Sequence, residues 1–160
     1  MKNKVQFLNL GKHPITNNFL IKKNPKKEFF YNLKLIFYSK SKLVSLAKFV
    51  QPKKMFNEKY AHRASGSKTM SLAYSDLAKS IKNKFKPKSI LEIGSNDGVF
   101  IKHFKKIKNL GVEPCKNLAR ITSKIGIKTY DEFWTFKTAR KIVNQIGKVD
   151  VIYSANTISH

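Results

Sequence analysis

Cysteine is almost missing from this chain of 160 residues: Cys115 stands alone. A single thiol excludes an internal disulfide framework and fits a reducing cytoplasm. Acid is scarce as well, with 9 aspartates and glutamates against 33 lysines and arginines, a net charge of +24. Arginine is rarer still, at Arg63, Arg120 and Arg140 only. It is the side chain that forks onto phosphate and guanine, so its scarcity argues against specific nucleic-acid recognition. The lysines are dispersed along the chain, the pattern of solvated faces. Long hydrophobic runs are also lacking. The longest, Phe29 to Tyr38, is interrupted by Asn32 and Lys34 and is too short to span a bilayer. The opening "MKNKVQFLNLGKHP" has no apolar segment ending in a small-residue cleavage site, so no secretory signal is expected.

What is present suffices for a folded domain: hydrophobic residues make up 41% and aromatics 12%. Residues 1–50 carry short strand-like runs, "VQFLNLG", "FYNLKLIFY" and "SKLVSLAKFV", with the turn-rich "GKHPITNNFL" after the first. Residues 51–87 form a linker and a helix. In "KTMSLAYSDLAKSIKNKF", Met70, Ala73, Leu77, Ile81 and Phe85 recur at helical spacing, Ser67 is positioned to cap the start, and Pro87 stops it. From residue 88 to 160 strands and helices alternate. "SILEIG", "NLGVEP", "IKTY" and "VDVIYSAN" read as strands; "DGVFIKHFKKI", "KNLARITSKIG" and "EFWTFKTARKIVNQIG" read as helices. That alternation predicts an α/β fold with a parallel sheet.

The chemistry concentrates in "ILEIGSNDGVF", residues 90–100. Ligands of such sheets bind beyond the carboxyl ends of the strands. Gly94 and Gly98 permit a tight turn and close backbone approach. No Gly-Lys-Ser/Thr follows, which excludes a Walker loop, and the three-glycine dinucleotide fingerprint is unmet. Glu92 precedes the loop and Asp97 lies within it. Carboxylates repel a pyrophosphate but suit an amine or a sulfonium, and S-adenosylmethionine carries both without a phosphate. Glu113 ends the second strand, 19 residues after Gly94, where an acid can accept hydrogen bonds from ribose hydroxyls. The plain alternative is a structural turn beside a surface acid.

"ILEIGSNDGVFIKHF", "GVEPCKNLA", "GIKTYDEFW" and "VDVIYSANTISH" together resemble successive motifs of the S-adenosylmethionine-dependent sugar C-methyltransferases. "LGKHPITNNFL" and "FVQPKKMFNEKYAHRASGSKTM" resemble that family's preceding segments. The resemblance implies a zinc-binding N-terminal module and a Rossmann-like class I methyltransferase fold, here its first four strands only. It implies methyl transfer to carbon in a nucleotide-linked deoxy-keto-sugar. It places Glu92, Gly94, Asn96 and Gly98 along the methionine side of the cofactor, Glu113 on the ribose, and residues 129–133, with Phe133, near adenine. Asn156 would lie near the transferable methyl, and Tyr60 and His160 would face substrate as the catalytic candidates.

The chain also departs from the pattern. The family's module uses two Cys-x-x-Cys pairs, but Tyr38 and Ser41 occupy the second pair's place and "MKNKVQ" the first's. Zinc is expected in the family and expected to be lost here, with no metal site. His62 stands where the family has a second tyrosine. The family's Tyr-His-Glu-His motif, associated with its general base, has no counterpart, so a gene fragment or truncated reading frame is expected, and the sequence leaves open whether a separately encoded C-terminal half completes it. His103 reads as a packed or surface histidine, Cys115 as a packing residue, and Trp134 as core or adenine-flanking. Two other readings stand beside the enzyme: a catalytically inactive cofactor-binding remnant, and a basic nucleic-acid-binding protein or RNA methyltransferase remnant. The cytoplasm is the expected location, with no membrane partner.

Overall fold

The structure, a computed structural model, describes residues 3–20 and 28–158. The chain divides into two compact units, residues 1–56 and 57–160, so the boundary falls inside the expected linker and the helix after it belongs to the second unit.

The first unit is an antiparallel sheet of β1 (Lys4–Pro14), β2 (Phe30–Tyr38) and β3 (Leu43–Leu46), in the order β1-β2-β3. Val5 pairs with Phe37, and Leu35 with Leu46. The turn expected from Gly11 onward begins later. Strand β1 runs on to Pro14 through two register shifts, and Gly11 absorbs the irregularity at φ +78°. The chain then turns at Asn17, whose φ is +64°. A one-turn helix, α1 (Pro52–Met55), closes the unit.

The second unit is mixed α/β. A short 3-10 turn at Ala64–Gly66 leads into α2 (Lys68–Phe85). Ser67 caps α2 by accepting from Met70 N at 3.2 Å, as its position predicts. Lys86, in the left-handed region, ends the helix before Pro87. The buried stripe differs from the expected one. Ala78 and Ile81 point inward with Tyr74 beside them, whereas Ala73, Leu77 and Phe85 are exposed. The two stripes are neighbours on the helix surface, and packing against the sheet selects between them.

A parallel sheet follows, with β4 (Ser89–Ile93), β5 (Lys108–Val112), β6 (Thr129–Tyr130) and β7 (Val151–Ser154) in the order β6-β5-β4-β7. Helices α3 (Lys116–Lys124) and α4 (Phe136–Ile146) make two of the crossovers. The helix expected at residues 97–107 is instead a set of turns with a 3-10 segment at Ile101–Phe104. Val99, Phe100, Ile101 and Phe104 are all buried. Apolar residues that adjoin in sequence face several directions on an α-helix, and the tighter turns let them all enter one core.

Strand alternation divides the core. Ile90 joins Ala78, Ile81, Phe100 and Phe104 on one face, while Leu91 and Ile93 join Leu110, Val112 and Ile142 on the other. Trp134 packs against the second face. The amino-terminal ends of β4 and β7 are joined through Asp150, which accepts from Lys88 N at 2.8 Å and Ser89 N at 3.0 Å.

Candidate functional site

Strand β4 is the first of the parallel sheet in sequence, and its neighbours β5 and β7 lie on opposite sides of it. The connections leaving its carboxyl end therefore diverge, and a crevice at such a switch point is where open α/β sheets bind ligands. The loop 94–98 occupies that point. It is pinned by Gly94 N and Ser95 N, both donating to Val112 O, at 2.7 and 3.2 Å.

Three acids gather there. By strand alternation Glu92 shares the face of Ile90, and its Oε2 accepts from Ile101 N at 3.2 Å. Glu113 accepts from Asn96 N at 2.8 Å and from Cys115 N at 2.9 Å. Asp97 accepts from the backbone N–H and the hydroxyl of Ser65. All three are buried, at 5%, 5% and 6% exposure for Glu92, Glu113 and Asp97. Burial pushes the Glu92 carboxyl well above the usual range, and the charges of Glu113 and Asp97 add to the rise against the Ile101 hydrogen bond. Burial also raises Glu113, opposed by its two backbone donors. A protein of net charge +24 thus encloses a small acidic centre.

Close packing within the chain accounts for both glycines. Gly94 has φ +72°, and a Cβ there would lie 2.2 Å from Thr157 Oγ1. Gly98 has φ +80°, and a Cβ would lie 2.9 Å from Thr122 Cγ2. Asn96, itself at φ +48°, accepts from Ala64 N at 2.9 Å through Oδ1 and donates to His62 O at 3.3 Å through Nδ2. The loop and the segment 62–65 are therefore one hydrogen-bonded body. No sequence motif marks Ser65, Thr122 or Thr157 as its partners; their spacing from the loop is long and their residue types are common.

Other candidates lie at the same end. Tyr60 O accepts from Asn117 Nδ2 at 2.8 Å, and the Tyr60 ring meets His62 edge-on at 6.4 Å. Asn156 takes φ +50° in the turn that carries Thr157 onto Gly94. Phe133 is half-buried beyond β6, its carbonyl accepting from Thr138 Oγ1 at 2.9 Å. His160 lies outside the described residues. Cys115 is buried, and burial followed by the charge of Glu113 pushes its thiol upward, the opposite of a nucleophile. Ser95 Oγ is buried, beside Gly111, with no hydrogen-bond partner among the described residues.

Comparison with known proteins bears on the first unit. Residues 1–56 match a methyltransferase-associated family described as "Putative zinc binding domain". The match ends where the first compact unit ends. The zinc itself does not fit these residues. They contain no cysteine, one histidine, His13, and one acid, Glu28, where a closed site needs about four ligands. His13 Nε2 donates to Leu10 O at 2.9 Å. Among the described residues no cluster of three potential metal ligands occurs. No curated protein matches the chain. A solved structure, "Crystal Structure of Streptomyces venezuelae DesVI", aligns over 39% of this chain at 18% identity and a TM-score of 0.33. The aligned part spans 28% of that chain, too small and loose a likeness to carry fold or function. Among the described residues no helix is long and apolar enough to cross a membrane.

Proposed function

We propose that residues 57–160 form the cofactor-binding part of a Rossmann-like class I methyltransferase that uses S-adenosylmethionine. The observation that carries this reading is the burial of Glu92, Asp97 and Glu113 together at the carboxyl end of β4. Such a centre repels phosphate and favours a ligand with hydroxyl donors and positive charge. The residues present fit that ligand. Each Glu113 oxygen takes one backbone donor, and an ionised carboxylate has acceptor capacity for about four, so room remains for ribose hydroxyls. Ser95 Oγ offers an unengaged polar atom in the same loop.

When bound, the cofactor supplies an electrophilic methyl group on sulfonium. In this reading Glu113 orients the ribose, Glu92 lines the methionine side, and Asp97 contributes the negative potential that favours the amine and sulfonium. Phe133 flanks adenine and Asn156 stands near the methyl. Tyr60 and His160 face the substrate as candidates for moving a proton. The resemblance of the sequence motifs to sugar C-methyltransferases supports carbon in a nucleotide-linked deoxy-keto-sugar as acceptor. Thr157 rests against Gly94, so a ligand that reaches the Gly94 backbone from that side displaces it.

Calorimetric titration of the full chain with S-adenosylhomocysteine tests the reading, with Glu113→Gln as the variant that keeps the side chain's size. Saturable binding, weakened about tenfold or more in Glu113→Gln, is expected from losing a charged acceptor. A folded chain, verified by circular dichroism, that binds no S-adenosylhomocysteine overturns the cofactor assignment.

A further inference from the structure

The amino-terminal end of the parallel sheet carries the opposite charge. The segment entering β4 and the segment entering β5 lie side by side there, joined by Lys108 N donating to Lys88 O at 3.1 Å. Between them and the end of α2 is a concavity of about 440 Å³. Lys82 and Lys86 line it from the end of α2, Lys102 and His103 from the 3-10 turn, and Lys105 and Lys106 from the approach to β5. A strand of five residues at about 3.3 Å per residue separates this end from the acidic centre, roughly 16 Å away.

Two ordinary explanations account for part of the cluster. Lysines in the last turn of α2 complement the helix dipole, which covers Lys82 and Lys86. That argument does not reach Lys102, Lys105 and Lys106, which belong to a 3-10 turn of four residues and the chain after it. Dispersed surface charge is the second explanation, but dispersed lysines do not converge on one hollow. The acids that could neutralise them are occupied elsewhere. Asp76 pairs with Lys79 at 3.0 Å, and Asp150 is held by the backbone of Lys88 and Ser89. Among the described residues none of the five lysines has a carboxylate partner within salt-bridge distance. Lys82 Nζ is positioned over the Phe104 ring, 5.2 Å from its centre. His103 adds a polar group to the wall, with its Nε2 buried and, among the described residues, without a hydrogen-bond partner. Burial first, then the charges of Lys102, Lys82 and Lys79, hold its pKa down.

We propose that this concavity binds a multiply charged phosphate group, of the size of a diphosphate or triphosphate. Convergent ammonium groups without counter-charge supply the attraction, and the hollow supplies room for several oxygens. The same chemistry occurs in a small oligophosphate and in a nucleic-acid backbone, and the two sources separate by experiment. This inference is independent of the cofactor reading, because it uses none of the residues at the carboxyl end of the sheet.

The test titrates the full chain with inorganic pyrophosphate, and in parallel with a single-stranded RNA oligomer. The Lys82→Gln/Lys105→Gln variant is compared with Lys124→Gln/Lys137→Gln, which removes the same charge from exposed positions elsewhere. Saturable pyrophosphate binding, weakened about tenfold in the first variant and less than about twofold in the second, is expected. The His103 ring resonances should move on binding in the native chain. RNA displaced by pyrophosphate and lost in the first variant supports the same site and identifies the backbone as a source. Absence of pyrophosphate binding at low salt overturns the proposal. So does equal weakening in both variants, which is the behaviour of diffuse charge.

Discussion

In residues 1–56 the large apolar side chains lie mostly at the surface: Phe7 is 55% exposed, Leu10 52% and Phe49 74%. Residues 57–160 also expose some, such as Phe85 and Phe136, but they enclose a core as well, with Ile90, Phe100, Ile101 and Leu118 at 0%. Both regions are rich in strand-forming residues, so composition does not distinguish them. The difference is layering. A three-stranded antiparallel sheet has two faces and needs a second layer to bury either. The parallel sheet has α2 and the 3-10 turn on one face and α4 on the other, so both sides of the central strand β4 become core. Small modules without such a core are commonly held by a metal, and the first unit matches a zinc-binding family without possessing the ligands. Apolar content is therefore a necessary condition for a core and not a sufficient one.

The contrast can be broken most forcefully by truncation of a ring in each unit. Phe100 stacks on Tyr153 at 4.0 Å and contacts Tyr74 and Phe104 edge-on or tilted. Phe100→Ala is expected to destabilise the second unit by about 3–5 kcal/mol in denaturant unfolding. Phe7→Ala is expected to change stability by less than about 0.5 kcal/mol. A large effect at Phe7 would mean that the first sheet has a covering layer in solution.

Glycine substitutions sharpen the same contrast at lower cost. Gly94 and Gly11 both have positive φ, but nothing lies within 4 Å of a Cβ built on Gly11. Gly11→Ala then carries only the backbone penalty of about 1 kcal/mol. Gly94→Ala adds a collision with Thr157 and is expected to cost about 2–4 kcal/mol, of which Thr157→Ala in the same chain should recover part. No recovery in the double variant would separate Gly94 from Thr157.

The smallest expected effect is electrostatic and confined to the second unit. Glu92 has a folded pKa raised above its unfolded value. The folded state thus binds the proton more tightly, and the stability this gives is full below the ordinary glutamate pKa of about 4.3 and is lost as pH rises through the folded value. Glu92→Gln should therefore melt higher than the native chain at neutral pH, and the gap should close as the medium is acidified toward pH 4. A native chain that stabilises with rising pH through that window, relative to Glu92→Gln, would contradict the burial of the acid.

Several elements were legible in the sequence because local chemistry specifies them. Ser67, the apolar periodicity and Pro87 mark α2 from cap to stop, and "SILEI" reads as a buried strand. The segment 97–107 reads as a helix because Val99, Phe100, His103 and Phe104 share one helical face, but the core also takes in Ile101, which that face leaves out, and the tighter turns result. The stripe on α2 was displaced by one neighbour for the same reason. Within the candidate site, the acids and glycines of residues 92–113 stood out by type and spacing. Their partners did not: Ser65, Thr122 and Thr157 are ordinary residues from three other segments, brought in by folding.

The sequence by itself determined the alternation of strands and helices, the turn glycines, the position of Glu113 after the second strand of the parallel sheet, and the absence of thiolates from residues 1–56. Each of these depends on residue type and local spacing, which the chain carries wherever it goes. Only the tertiary structure decided that Glu92, Asp97 and Glu113 are buried together, that lysines from three segments converge on one hollow at the far end of the sheet, and that one sheet is enclosed while the other is not. Those outcomes depend on dielectric surroundings and on distances between residues remote in sequence, and both come into existence only when the layers pack.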